Sequence, residues 1–170
     1  MRRAAVVFDV GGVLAHNMWE PMFDDLAQEH GLDSVKVQEA GRLLWETFAY
    51  VPETPANTWL ERLHARGTRM VICSNNNEIW WPRQAKALEL DRFFTPQAIV
   101  LSSRVGAPKE SPGLEMFRAA VEAAGVPAAN CFFTDDRQPI VDCARAFGID
   151  AMLFRGPEHF TAELRERGLL

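Results

Sequence analysis

Residues Val6–Val13 read VVFDVGGV, and the rest of the chain is organised around them. An apolar run ends at Asp9, and Gly11 and Gly12 follow almost at once. Such a run suits a central strand of a parallel sheet, buried on both faces. A carboxylate at its end sits where open α/β sheets place their chemistry, outside the carboxyl ends of the strands. Gly11 and Gly12 permit a tight turn and offer N–H groups to an anion. Taken alone, the stretch fits an ordinary strand closed by a capping Asp equally well.

Outward from this strand, apolar runs alternate with amphipathic segments. Helical spacing runs from Trp19 to His30 and again from Ser34, a candidate cap, to Phe48. Val51–Pro55 breaks the pattern, and Asn57 or Thr58 starts a helix that Gly67 stops. Strands are predicted at Arg69–Cys73, Ala98–Leu101, Cys131–Thr134 and Ala151–Phe154. Helices are predicted at Ile79–Leu90, Pro112–Ala124, after Asp136 to Phe147, and at Glu158–Arg167. Strands alternating with helices mean βαβ units, hence an α/β sandwich with a parallel sheet and helices on both faces. A chain of 170 residues is one domain by default. Residues 16–51 interrupt the alternation and read as a small helical insertion within it.

The composition is 48% hydrophobic and 24% charged, ordinary for a soluble globular protein. The net charge of −5 leaves no basic stripe for nucleic-acid phosphates. The first apolar run is too short for a signal peptide or a membrane span. Cys73, Cys131 and Cys143 are odd in number, and two of them lie in apolar runs, which fits buried free thiols and a cytoplasmic setting.

In a parallel sheet the strand ends share one edge. Asp9 ends the first strand, Ser74 the second, and Asp135 and Asp136 the fourth; Lys109 lies in the loop after the third. Each is bland alone: a helix cap, a solvated lysine, carboxylates at a helix dipole. Together they describe a site. Adjacent carboxylates repel unless a cation lies between them, and oxygen-only ligands favour Mg²⁺. Mg²⁺ and a lysine would balance a phosphoryl group, with Asp9 as a nucleophile toward phosphorus.

The order of these motifs resembles the haloacid dehalogenase-like (HAD-like) hydrolase superfamily, chiefly its phosphatase branch with a helical cap after the first strand. VVFDVGGVL looks like the first motif, VICSNN the second, the Lys109 loop the third and CFFTDDRQPIVDCARAFGI the fourth. The resemblance covers nearly the whole chain and implies a Rossmann-like sheet of order 5-4-1-2-3, with residues 16–51 as a reduced cap. It implies that Asp9 is the nucleophile and that Lys109 neutralises the phosphorylated aspartate. Phosphate contacts would come from Ser74, Asn75, Gly11 and Gly12. The metal would be held by Asp9, the Gly11 carbonyl and Asp136 directly, and by Asp135 through a water. The substrate would be a small phosphorylated metabolite or a larger phosphorylated molecule, with a homodimer as one way to cover the site.

Three departures qualify the resemblance. The second Asp usual two residues after the nucleophile is Gly11 here, which removes a general acid; such a group typically contributes about 10²–10⁴-fold in rate. His16 is a candidate substitute. In the third motif, counting forward from Gly106 selects Lys109, and counting back from Phe117 selects Ser111; an insertion of Glu110-Ser111 reconciles the two. The cap is cut to about two helices, and Trp45, Phe48, Tyr50, Trp80 and Trp81 are candidates either for that surface or for the core. The rival reading is a catalytically weak or inert relative that binds a metabolite or a protein partner.

Overall fold

The backbone of β1 (Ala5–Phe8) is flanked on both sides, by β2 (Arg69–Ser74) and by β4 (Cys131–Asp135). With β3 (Ile99–Leu101) and β5 (Asp150–Leu153) they form one five-stranded sheet, all parallel, in the order β3-β2-β1-β4-β5. This is the expected order. The structure, a computed structural model, describes residues 4–15, 27–33, 35–37, 39, 55–78 and 81–170.

All four residues of β1 are buried because alternate side chains enter two different cores. Val6 and Phe8 point to the face covered by α1 (Pro55–Ala65), α2 (Trp81–Ala87) and α6 (Pro157–Glu166). There Trp59 and Phe160 meet edge-on at 4.8 Å between ring centroids, and Phe8 packs on Phe160 at 5.9 Å. Ala5 and Val7 point to the other face, covered by α4 (Glu115–Ala124) and α5 (Gln138–Phe147), where Phe117 meets Phe133 at 5.4 Å. The single turn of α3 (Ser102–Val105) lies between β3 and α4. The α5 stripe of Ile140, Val141 and Ala144 is buried, and Gly148 stops the helix at φ +95°, where a side chain would be strained.

Several boundaries differ from the sequence expectation for local reasons. The α4 helix starts at Glu115, not Pro112, because Leu114 adopts a left-handed conformation (φ +54°) and its N–H turns back to the Ser111 carbonyl. The Ser102–Val105 turn replaces the start of the expected loop. After α2, Glu89 (φ +50°) breaks the helix and Leu90–Arg92 form a 3-10 turn. Trp81 is buried in the core; Trp45, Phe48, Tyr50 and Trp80 lie outside the described residues.

Most of the segment 16–51 also lies outside them, His16 and Ser34 included. Residues 27–29 and 35–37 are helical. Asp33 accepts the N–H groups of Val35 and Lys36, which is the capping role expected of Ser34. All three cysteines are free thiols. Among the described residues, no helix is long and apolar enough to cross a membrane.

Candidate active site

Parallel pairing brings the ends of β1, β2 and β4 to one edge. Phe8 is paired with Ile72 and with Thr134, so the next residues, Asp9, Cys73 and Asp135, stand side by side. The Asp9 N–H donates to the Thr134 carbonyl at 3.1 Å, which anchors the carboxylate to β4. Ser74 is buried at the last position of β2.

Lys109 enters this edge from the loop between α3 and α4. Its ammonium is buried, with Nζ 2.8 Å from Asp9 Oδ1 and 2.5 Å from Asp135 Oδ2. Asp135 Oδ1 accepts the Arg137 N–H at 2.9 Å. Both oxygens of Asp135 are therefore engaged. Asp136 is partly exposed beside them, and one carboxylate oxygen from each of Asp9, Asp135 and Asp136 falls within 4.8 Å of the others. The two counts in the third motif are thereby reconciled: Lys109 reaches Asp9, whereas Ser111 Oγ is spent on Glu115 Oε2 at 2.6 Å.

The turn after Asp9 is tight. The Val10 carbonyl accepts N–H groups from Val13, Leu14 and Ala15. Gly12 has φ +72°, and its N–H is donated to the Ala15 carbonyl at 2.6 Å. The turn itself uses this N–H, one of those expected to face an anion. Gly11 forms an isolated bridge with Ala15.

The Asn75 side chain, at a residue expected to bind phosphate, bonds within the protein. Its Oδ1 accepts the Lys109 N–H at 2.9 Å, and its Nδ2 donates to Glu110 Oε2 at 2.8 Å. Glu110 Oε1 in turn pairs with Arg137 Nη1 at 2.7 Å. Sequence reasoning passed over Glu110 and Arg137. The one available signal was the two-residue irregularity at Glu110-Ser111.

Electrostatics at this edge follow from burial. Burial raises the Asp9 carboxyl to about 6, against the pull of the Lys109 charge, and Asp135 pushes the same way as burial. For Lys109 burial works against the charge, but Asp9 and Asp135 outweigh it and hold the ammonium protonated above its ordinary value. Burial pushes the neighbouring Cys73 thiol up to about 12. Three carboxylates converge at this mouth, and a divalent cation among them would offset their mutual repulsion. The all-oxygen donor set fits Mg²⁺.

The family model of haloacid dehalogenase-like hydrolases matches residues 23–148. A phosphatase of Mycobacterium tuberculosis is 34% identical over 131 residues, covering 75% of this chain and 57% of that protein. The chain thus spans little more than half the length of this relative. Among solved structures, a HAD family hydrolase from Deinococcus radiodurans with bound phosphate and sodium superposes with a TM-score of 0.68 at 18% identity, over 98% of this chain and 97% of that one. A HAD-superfamily hydrolase from Ehrlichia chaffeensis does so with a TM-score of 0.67 at 20% identity, over 98% of each chain. At those identities the likeness is one of fold.

Proposed function

The chain belongs to the haloacid dehalogenase-like hydrolase family, and on that premise we propose that it is a magnesium-dependent phosphohydrolase working through an aspartyl phosphate at Asp9. The observation that carries this reading is the buried Lys109 ammonium between Asp9 and Asp135, with Asp136 beside them. The named phosphatase relative and the solved neighbour with bound phosphate support it, as does a solved neighbour from Bacteroides thetaiotaomicron described as a magnesium complex.

In this reading the Asp9 carboxylate attacks phosphorus. A bond forms from its oxygen to phosphorus as the bond to the leaving oxygen breaks. Water then attacks the aspartyl phosphate, releasing inorganic phosphate and restoring the carboxylate. Lys109 stabilises charge on the phosphoryl oxygens, and Ser74 hydrogen-bonds to one of them. Asp9, Asp136 and the Gly11 carbonyl would hold Mg²⁺, with Asp135 acting through a water because both its oxygens already have partners. Bound there, Mg²⁺ supplies positive charge that offsets the approach of an anionic substrate to a carboxylate.

Gly11 carries no proton for the leaving group, so leaving groups of low pKa, such as an acyl phosphate or an activated aryl ester, are the favoured substrates. The segment 16–51, as a reduced cap, leaves room for a large substrate or for cover by a second subunit. The test is Mg²⁺-dependent phosphate release from both compounds, with Asp9→Asn as control. Turnover that survives Asp9→Asn overturns the nucleophile. No turnover on any member of a broad phosphorylated panel supports the inert, ligand-binding relative instead.

A further inference from the structure

We propose that Glu110 is a positioning residue that closes a ring of polar contacts and holds Lys109 against Asp135. The ring is traced from the ammonium. Lys109 Nζ meets Asp135 Oδ2 at 2.5 Å, and Asp135 Oδ1 accepts the Arg137 N–H at 2.9 Å. Arg137 Nη1 meets Glu110 Oε1 at 2.7 Å, and Glu110 Oε2 accepts from Asn75 Nδ2 at 2.8 Å. Asn75 Oδ1 accepts the Lys109 N–H at 2.9 Å, which returns the ring to its start.

The ring ties together three segments that share no strand pairing at this point: the loop after β2, the loop carrying Lys109, and the end of β4. Glu110 is the link between the Asn75 amide and the Arg137 guanidinium. Both of its carboxylate oxygens are used, one toward a neutral amide and one toward a guanidinium. Its carboxyl lies below the ordinary range: burial opposes this, and the Asn75 hydrogen bond, with the Arg137 and Lys109 charges, outweighs it. The chemistry of the link is specific. A glutamine offers one acceptor and one donor, so it satisfies one arm and faces a donor with a donor at the other. An aspartate is one methylene shorter and reaches only one arm. The two-residue irregularity in the third motif thus has a use: it inserts the residue that fastens the lysine loop to its neighbours.

The inference has a structural arm and a kinetic arm, and only the kinetic arm rests on the phosphohydrolase reading. Amide hydrogen exchange of Lys109 and Arg137, measured in the protein without added metal, reads the ring directly. Turnover of an aryl phosphate at saturating Mg²⁺ reads its effect on catalysis. In Glu110→Ala both amides exchange at least about tenfold faster while the core amides of Val71 and Phe133 keep their protection. In the same variant kcat falls about 10- to 100-fold, as for other small misplacements of a reacting group, with KM within about threefold. Glu110→Gln falls between wild type and Glu110→Ala on both readouts, and it carries the test if the alanine variant fails to fold. Unchanged exchange at Lys109 and Arg137 in both variants overturns the ring. Faster exchange with unchanged kcat overturns the positioning role. If wild type turns over nothing, the phosphohydrolase reading falls and the exchange rates alone decide the ring.

Discussion

Among the described residues Lys109 and Arg167, like Arg92, each lie between two carboxylates, and the first two differ in nearly everything else. Lys109 lies between Asp9 and Asp135, with side-chain exposures of 2%, 10% and 0%. Arg167 lies between Asp150 and Glu163, with exposures of 26%, 50% and 25%, and its guanidinium also stacks 4.1 Å from the Phe132 ring centroid. The surface trio forms in high dielectric, where such pairs contribute about 0–1 kcal/mol. The buried trio has lost its water, and a buried ion pair of this kind is weak evidence for stability. On the proposed function, its presence at the strand ends, beside a further carboxylate, is accounted for by chemistry rather than by holding the fold together.

The contrast can be broken most severely at Asp9. Asp9→Asn should drop Mg²⁺-dependent phosphate release to the no-enzyme level, while Asp150→Asn leaves it at the wild-type rate; equal effects from the two variants would erase the distinction. Cys73 gauges how dry the buried trio is. With its thiol near 12, roughly one in 10⁴ is thiolate at pH 8, so iodoacetamide should label the partly exposed Cys143 and leave Cys73 untouched until the protein unfolds. The sign of the linkage follows. The folded thiol is raised above its ordinary 9, so its contribution to stability is complete below pH 9 and is lost as pH rises toward 12.

Lys109→Met strands two buried carboxylates without their cation. It should lower the unfolding free energy of the metal-free protein by about 3–5 kcal/mol, read from urea denaturation. A loss below about 1 kcal/mol would place the buried trio with the surface one. The smallest effect belongs to Arg167→Gln, which should cost no more than about 1 kcal/mol of ion-pair energy and shrink further at high salt. Any larger loss in that variant would be packing on Phe132 and would persist in salt.

Much of this was readable before any coordinates. The alternation of apolar runs and helical stripes implied a parallel sheet, and the resemblance supplied its order. The residues brought together at the edge are Asp9, Ser74, Asp135 and Asp136, marked at predicted strand ends, and Lys109, marked in the loop after the third strand. What stayed hidden depends on the direction of side chains and on short-range turn geometry. Nothing in the letters VGGV says that the Gly12 N–H is consumed by Ala15. Asn75 reads as a ligand-facing amide, and only the approach of the Lys109 loop turns it into a bridge. The start of α4 was placed too early because proline at a first helical turn is a sound signal, here overridden by the left-handed Leu114.

The strand order also bears on how the molecule is made. β1 emerges first in synthesis but occupies the middle of the sheet, and its partners arrive late. Ala5 pairs with Arg69, 64 residues on (69 − 5), and with Cys131, 126 residues on (131 − 5). Long closures of this kind cost chain entropy before any contact repays it. The strand that leads to Asp9 therefore waits, apolar on both faces, until the C-terminal third of the chain exists to cover it. During that interval it is the segment most in need of protection from self-association, and its acid has neither its lysine nor its fellow carboxylates until the sheet is nearly complete.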